Sequence, residues 1–170
     1  MANGMVAKLS KNPLVQGAVV GYCASQALDQ LGIFLYENES RATREAEDRA
    51  RGGRHVYEVA VSQLAEKFGR KLTRREEQEY GWRFHQVFGL LTGVGYVAAR
   101  KRFSWLGLGR GVLAGTLFFL IVDELMMPLM RWSPGPRAFD WKVHGRGAVT
   151  HLAYGIAAES AYRALERASL

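Results

Sequence analysis

Four ionisable side chains stand inside apolar stretches of this chain, where a charge normally needs a partner. They are two aspartates, Asp29 and Asp123, and two histidines, His85 and His151. Soluble core helices rarely bury an unpaired aspartate, and membrane helices rarely carry one without a partner or a task. Histidine titrates near neutral pH and binds metals. We therefore expect the two aspartates and the two histidines to meet in one polar layer.

Small residues occur at intervals of four along the same stretches. Residues four apart form one ridge on a helix, and small residues on a ridge let two backbones approach closely. The pattern predicts helix packing along Gly17, Gly21, Ser25, Gly89, Gly93, Gly107, Gly111, Gly115 and Gly155. The ionisable groups lie on these ridges. Glu124, at the level of Asp123, and Glu159, deeper in the last stretch, complete the predicted polar cluster.

Three uses of such a cluster remain open from the sequence. The carboxylates and imidazoles could form hydrogen bonds that fix which helices meet, or pass protons or small ions. They could also bind iron, zinc or manganese, with candidate ligands His85, His151, Asp29 and Asp123, and two opposed histidines could hold a haem. No span carries a Glu-x-x-His motif, and no nucleophile has a base at a recognisable spacing. We expect no catalytic residues, no cofactor and no enzyme.

Four segments that could position these groups have helical length and few charges: residues 13–36, 84–99, 106–130 and 147–165. A bilayer span needs about 20 mostly apolar residues. All four tryptophans stand at segment ends, as in the aromatic belt at a membrane interface: Trp82, Trp105, Trp132 and Trp141. The sequence thus predicts one all-α membrane domain over residues 1–170, a bundle of four transmembrane helices. The alternative is a soluble helical bundle that self-associates through its glycine ridges.

The long polar connection, residues 37–83, is expected to contain an amphipathic helix. Its residues 55–68 place apolar side chains on one face, and Gly69 follows as a helix stop. Thr73 and Glu76 have the spacing of a capping box, so a new helix should begin there and run into the second span.

The chain of 170 residues is 48% hydrophobic and carries a formal net charge of +7. Its charges are mixed in sign and lack aromatic stacking platforms, which argues against nucleic-acid binding. We expect the lipid bilayer as partner, with a homo-oligomer or another membrane protein as further candidates. Lys8 and Lys11 precede the first apolar run, which is too long for a signal peptide and is interpreted as a retained helix.

Membrane orientation follows from the distribution of basic residues. Residues 37–83 and 131–146 carry fifteen Lys and Arg, whereas the opposite side carries seven: Lys8, Lys11, Arg100, Lys101, Arg102, Arg163 and Arg167. Because basic loops stay in the cytoplasm, both termini are predicted to be periplasmic. The dense cluster at residues 100–102 argues for the opposite orientation.

Several short motifs resemble the YagU-like family of small bacterial inner-membrane proteins, a family of unassigned function. They are the glycine-rich first span, HQVFGLLTGVGY from His85 to Tyr96, DELMMP from Asp123 to Pro128, and HLAYG from His151 to Gly155. The resemblance covers most of the chain and implies a multi-pass protein of the bacterial inner (cytoplasmic) membrane. It supplies no catalytic residues.

Overall fold

The computed structural model describes residues 12–168, and every regular element in that range is a helix. The α-helices are α1 (Pro13–Glu37), α2 (Arg41–Arg51), α3 (Val56–Lys67), α4 (Arg74–Arg102), α5 (Val112–Phe118), α6 (Met127–Leu129) and α7 (Trp141–Ala168). Two 3-10 helices span Ser104–Gly111 and Pro136–Ala138, and a π-helix, Phe119–Met126, joins α5 to α6. We call residues 112–129 the composite helix. Lys8 and Lys11 lie outside the described residues.

Local sequence signals set most helix ends. The Asn12 side chain accepts a hydrogen bond from the Leu14 amide at 2.9 Å and caps α1. Thr73 and Glu76 form the predicted capping box, in which the Glu76 carboxylate accepts from the Thr73 amide at 2.8 Å. The helix predicted at residues 55–68 is confirmed as α3, with Gly69 in the left-handed region at φ 72°, but Leu64 and Phe68 of its predicted apolar face are exposed.

The third predicted segment, residues 106–130, is wrong as a single α-helix. The chain has positive φ at Gly109, Arg110 and Gly111, with values of 61°, 58° and 96°, so the composite helix begins only at Val112. Glycine adopts this conformation without steric cost, and two glycines make the break possible. The fourth helix is longer than its predicted span because residues 141–146, expected in the connection, already belong to α7.

The four long helices pack in a row with α1 and α7 at its centre. Helix α4 packs on the outer side of α1, and the composite helix packs on α7, whereas α4 and α7 barely touch. Val20, Ala24, Val97, Tyr154 and Ala158 form the buried core between α1, α4 and α7. A cavity lies on one side of this row, and both outer helices, α4 and the composite helix, line it. Helix α3 packs against α4 beside the cavity.

Glycine crossings hold both outer pairs together and repeat one geometry. A Cβ added to Gly93 would overlap the backbone of Gly17 and Gly21, so α1 and α4 touch backbone to backbone. In the second pair, Gly155 meets Gly111 and Gly115 through the corresponding atoms, a carbonyl oxygen and an amide nitrogen. Such contacts are typical of membrane helices. Helix α1 with α4, and the composite helix with α7, therefore form two similar antiparallel pairs, which we call the two hairpins.

Several large apolar side chains are exposed, and several glutamates are buried. Large apolar side chains such as Leu91 and Leu129 are 63% and 72% exposed, while glutamates, among them Glu47 and Glu159, are buried. By length and composition α1 and Ser104–Leu129 could each cross a bilayer, a weak indication of membrane localisation. Only 22% and 28% of their most apolar windows are buried, whereas the core helix of a soluble protein is mostly buried.

Candidate functional site

A cavity of about 780 Å³ fills the space between α4 and the composite helix. Helices α1 and α7 form its back wall, the start of α3 and residues 133–139 border it, and Tyr154 and Thr92 also line it. All four histidines of the sequence line this cavity. Three of them contact a carboxylate, which produces three carboxylate–imidazole pairs around one space.

The first pair joins Asp29 of α1 to His85 of α4. His85 Nε2 lies 2.9 and 3.1 Å from the two Asp29 carboxylate oxygens, and because an ionised carboxylate only accepts, Nε2 carries the donated hydrogen. Ser25, one turn before Asp29 on α1, lies against Gly89, one turn after His85 on α4. The close approach of the two helices at this crossing brings Asp29 and His85 together. Nδ1 of His85 is buried without a hydrogen-bond partner among the described residues.

The second pair, Asp123 and His151, is looser. His151 Nδ1 donates to the Gly147 carbonyl oxygen at 2.8 Å, and Nε2 lies 3.7 Å from an Asp123 oxygen, beyond hydrogen-bond distance. The rings of Phe118 and Phe119 flank the imidazole at 5.4 and 5.6 Å between centroids. The Asp123 side chain is 41% accessible, compared with 17% for Asp29 and 23% for Glu124.

The third pair was not predicted, because its histidine lies in the expected connection. His144 Nδ1 lies 2.6 Å from a Glu124 oxygen, and Nε2 donates to the Pro136 carbonyl oxygen at 2.9 Å. Two acceptors around one ring favour the imidazolium, and the Glu124 hydrogen bond raises the pKa of His144 above its ordinary value. The available signal was the spacing of His144 and His151, two helical turns apart.

Asp123 and Glu124 both line the cavity, and both belong to the π-helix Phe119–Met126. The sequence placed Glu124 at the level of Asp123 but on a different face of the helix, and the structure brings both carboxylates to one cavity. A π-helix has more residues per turn than an α-helix, which changes the directions of successive side chains, and such segments are frequent at functional sites.

Tyr57 is a second residue that sequence reasoning missed at the site. Its ring lies 4.6 Å from that of His85, and α3 inserts it where both Asp29 and Asp123 influence it. Burial raises the pKa of the Tyr57 hydroxyl, and the two carboxylates raise it further. The hydroxyl therefore keeps its proton and remains a donor inside the cavity. Its only sequence signal was its place on the apolar face of residues 55–68.

Glu159, which the sequence grouped with the cluster, lies elsewhere. Arg100 donates to its two oxygens at 3.0 and 3.1 Å, and Tyr96 and Arg163 donate at 2.6 Å each. Glu159 is 1% exposed and does not line the cavity. A Cβ added to Gly107 would contact both Arg100 and Glu159, so this glycine makes room for the ion pair. Glu159 is a structural anchor at the other end of the bundle.

No cluster of metal-ligating side chains among the described residues supports the metal-site hypothesis. Among residues 12–168, no three His, Cys, Asp or Glu side chains come together as metal ligands. The candidates Asp29, His85, Asp123 and His151 form two separate pairs around the cavity.

Comparison with models of protein families, with curated proteins and with solved structures finds no match for this chain.

Proposed function

We propose that this chain is a multi-pass protein of the bacterial inner membrane whose helices enclose a binding site for a small ligand. The observation that carries this proposal is the cavity of about 780 Å³ lined by three carboxylate–imidazole pairs. Cavities of this size suit small molecules, and ionisable groups inside a membrane bundle mark ligand or ion pathways. The resemblance to the YagU-like family agrees with the proposed location.

Exposed apolar side chains support four spans although only two helices meet simple length and composition criteria. Helix α4 has no Lys, Arg, Asp or Glu between Arg83 and Arg100, and α7 has none between Arg146 and Glu159. These middle parts expose apolar residues such as Leu91 and Ile156. Lipid contact satisfies these side chains, whereas water would not.

The soluble alternative loses its proposed interface. Self-association through glycine ridges needs those ridges on the surface, but Gly17, Gly21 and Gly93 contact one another within the chain, as do Gly111, Gly115 and Gly155. A complete proton path is also poorly supported, because Glu159 is held by two arginines and lies apart from the cavity.

The native Cys23 offers a direct test of membrane placement. It is exposed on α1, so a maleimide should label it rapidly if the protein is soluble and slowly if lipid covers it. Phe68→Cys in a Cys23→Ala background is the control, since Phe68 is 82% exposed on the polar connection. We expect labelling of the control alone, together with retention in the membrane after alkaline carbonate washing. Release by carbonate with fast Cys23 labelling would refute the membrane proposal.

Two adjacent residues test the cavity. Thr92 lines it, whereas its neighbour Leu91 points outward and is 63% exposed. In the Cys23→Ala background, we expect a small charged methanethiosulfonate to modify Thr92→Cys and to leave Leu91→Cys unmodified in membranes. Equal protection of both cysteines would mean that the cavity does not open to water, and the proposed binding site would fail.

A further inference from the structure

We infer that the cavity binds an organic monocation, and that the cation displaces a proton from the carboxylate–imidazole pairs. This inference rests on the proposed function and adds the chemical class of the ligand. It follows from the charge balance of the cavity wall, from the aromatic rings beside its imidazoles, and from its size.

The charge balance shows which carboxylates lack a permanent cation. Arg51 and Arg146 line the cavity, but both form ion pairs with Glu47. The remaining Nη1 of Arg146 lies 3.9 Å from Glu39 and is buried without a hydrogen-bond partner among the described residues. Glu58 is paired with Arg74 at 2.7 Å. Both arginines at the cavity thus have glutamate partners, but they share Glu47, and Arg51 also lies close enough to Asp123 to attract it.

Among the described residues, Asp29, Asp123 and Glu124 form ion pairs with imidazoles and none with an arginine or a lysine. Each pair is neutral when its imidazole carries two protons and negative when it carries one. Negative charge in a low-dielectric site is unfavourable without a counterion. Loss of a proton from a pair therefore creates a place for a cation, and protonation removes that place.

Aromatic rings lie against the imidazoles of the first two pairs. Phe118 and Phe119 flank the His151 ring, Phe118 stacks on Tyr154 at 4.8 Å, and the Tyr57 ring lies 4.6 Å from that of His85. The faces of aromatic rings attract cations, and rings combined with carboxylates recognise ammonium groups. The wall thus favours a cation with apolar substituents over an anion.

The size of the cavity separates an organic cation from a metal ion. A volume of about 780 Å³ accommodates a small organic molecule, while the described residues offer no set of three ligands for a metal. The exchange is balanced in charge: one monocation enters next to the carboxylates, and one proton leaves an imidazolium for the solvent, with His144 as the first candidate because two acceptors surround its ring.

The test uses the purified full chain in lipid nanodiscs, with tetraphenylphosphonium as cationic probe and tetraphenylborate as the anion of the same shape. Isothermal titration in two buffers of different ionisation enthalpy gives both affinity and the number of protons released. We expect saturable binding of the cation, release of about one proton per cation near neutral pH, weaker binding at pH 5, and no saturable binding of the anion.

Variants locate the site. Asp123→Asn should weaken cation binding by about 10- to 100-fold, the equivalent of one charged contact, and Asp29→Asn should weaken it as well. Glu79→Gln is the matched control, because Glu79 is exposed on α4 and pairs only with Arg83. Each variant is first checked for helix content and monodispersity, and if Asp123→Asn does not fold, Asp29→Asn decides.

Three results would overturn the inference. Equal binding of the cation and the anion would show a cavity that accepts apolar ligands without charge selection, which leaves the proposed function standing. Cation binding without proton release, or unchanged in both aspartate variants, would place the probe elsewhere. Tight binding of Zn²⁺ alone that both variants abolish, with no binding of the cation, would assign the pairs to a metal.

Discussion

At the scale of single residues, Glu159 is a buried carboxylate that forms ion pairs with two arginines, Arg100 and Arg163. Replacing it by Gln removes the charge and leaves both guanidinium groups without their carboxylate. Breaking a buried ion pair on one side costs about 3–5 kcal/mol. We therefore expect Glu159→Gln to lower the free energy of unfolding by about that amount, measured by denaturant titration in detergent micelles.

The control for this prediction is Glu79→Gln, which breaks an exposed pair with Arg83 on the same helix as Arg100. Exposed pairs contribute at most about 1 kcal/mol, so the control should change stability little. Equal effects of the two substitutions would contradict the view that the Glu159 network anchors this end of the bundle.

His144 carries a pH prediction at the same scale. Its pKa is raised because Glu124 and the Pro136 carbonyl oxygen accept its hydrogen bonds, and Asp140 adds to the shift. A raised pKa in the folded state means that the stabilisation is fully present below the unfolded value of about 6.5 and is lost as pH rises through the folded value. We expect residues 131–140 to exchange amide hydrogen faster at alkaline pH, after correction for the intrinsic rate.

The change should disappear in His144→Gln, whose side chain does not titrate. Mass spectrometry of peptides from residues 131–140 measures it, with peptides from α1 as an internal reference. Slower exchange of residues 131–140 at alkaline pH in the native protein would reverse the sign and contradict the assignment.

At the scale of elements, two glycines of α4 provide a matched pair. Gly93 packs against the backbone of Gly17 and Gly21, whereas a Cβ at Gly95 would meet nothing within 4 Å. Gly93→Ala forces α1 and α4 apart and should destabilise the protein by about 1–3 kcal/mol or more. Gly95→Ala should stabilise it by about 0.5–1 kcal/mol, because alanine is the better helix former. Unfolding titrations of both variants test this, and similar effects would refute the crossing.

The helices themselves were largely predictable from local signals, and their departures from ideal geometry were not. Residues such as Thr73, Glu76 and Gly69 act through their immediate neighbours, so spacing suffices to place the ends of α3 and α4. The break at Gly109 and Arg110 and the π-helix around Asp123 depend on tertiary packing against α7. Sequence periodicity assumes a regular helix and does not detect them.

The same limit applies to the candidate site. Helix order and the glycine ridges placed Asp29, His85, Asp123 and His151 in one polar layer, but they did not predict that the four residues form two separate pairs. Tyr57 and His144 come from the connections, whose positions depend on long-range ion pairs such as that between Glu47 and Arg146. The spacing of residues along a helix does not predict such long-range contacts.

At the scale of the whole molecule, the two hairpins share a backbone crossing but differ in the position of the histidine. Gly93 and Gly155 occupy equivalent places, yet His85 lies two turns before the first and His151 one turn before the second. This offset accounts for the close Asp29–His85 contact and the open Asp123–His151 contact. The repeated architecture thus provides one tightly paired and one accessible carboxylate in a single cavity.

The orientation of the molecule determines which side the cavity serves. Residues 37–83 and 131–146, at the cavity end, hold fifteen Lys and Arg, whereas the described residues of the opposite end hold six: Arg100, Lys101, Arg102, Arg110, Arg163 and Arg167. Within the smaller group, Arg100 forms an ion pair with Glu159, which reduces the net charge of the cluster at residues 100–102. We predict that the cavity end is cytoplasmic and that both termini are periplasmic.

Two cysteine variants in the Cys23→Ala background test this orientation with the same residue type at both ends. Phe68 lies on the connection at the cavity end, and Phe103 lies at the other end, and both side chains are exposed. In intact spheroplasts, a membrane-impermeant maleimide should label Phe103→Cys and spare Phe68→Cys, while permeabilised cells should show both labelled. Labelling of Phe68→Cys alone in intact spheroplasts would invert the topology, because basic residues near span ends would then have crossed the membrane against the charge bias.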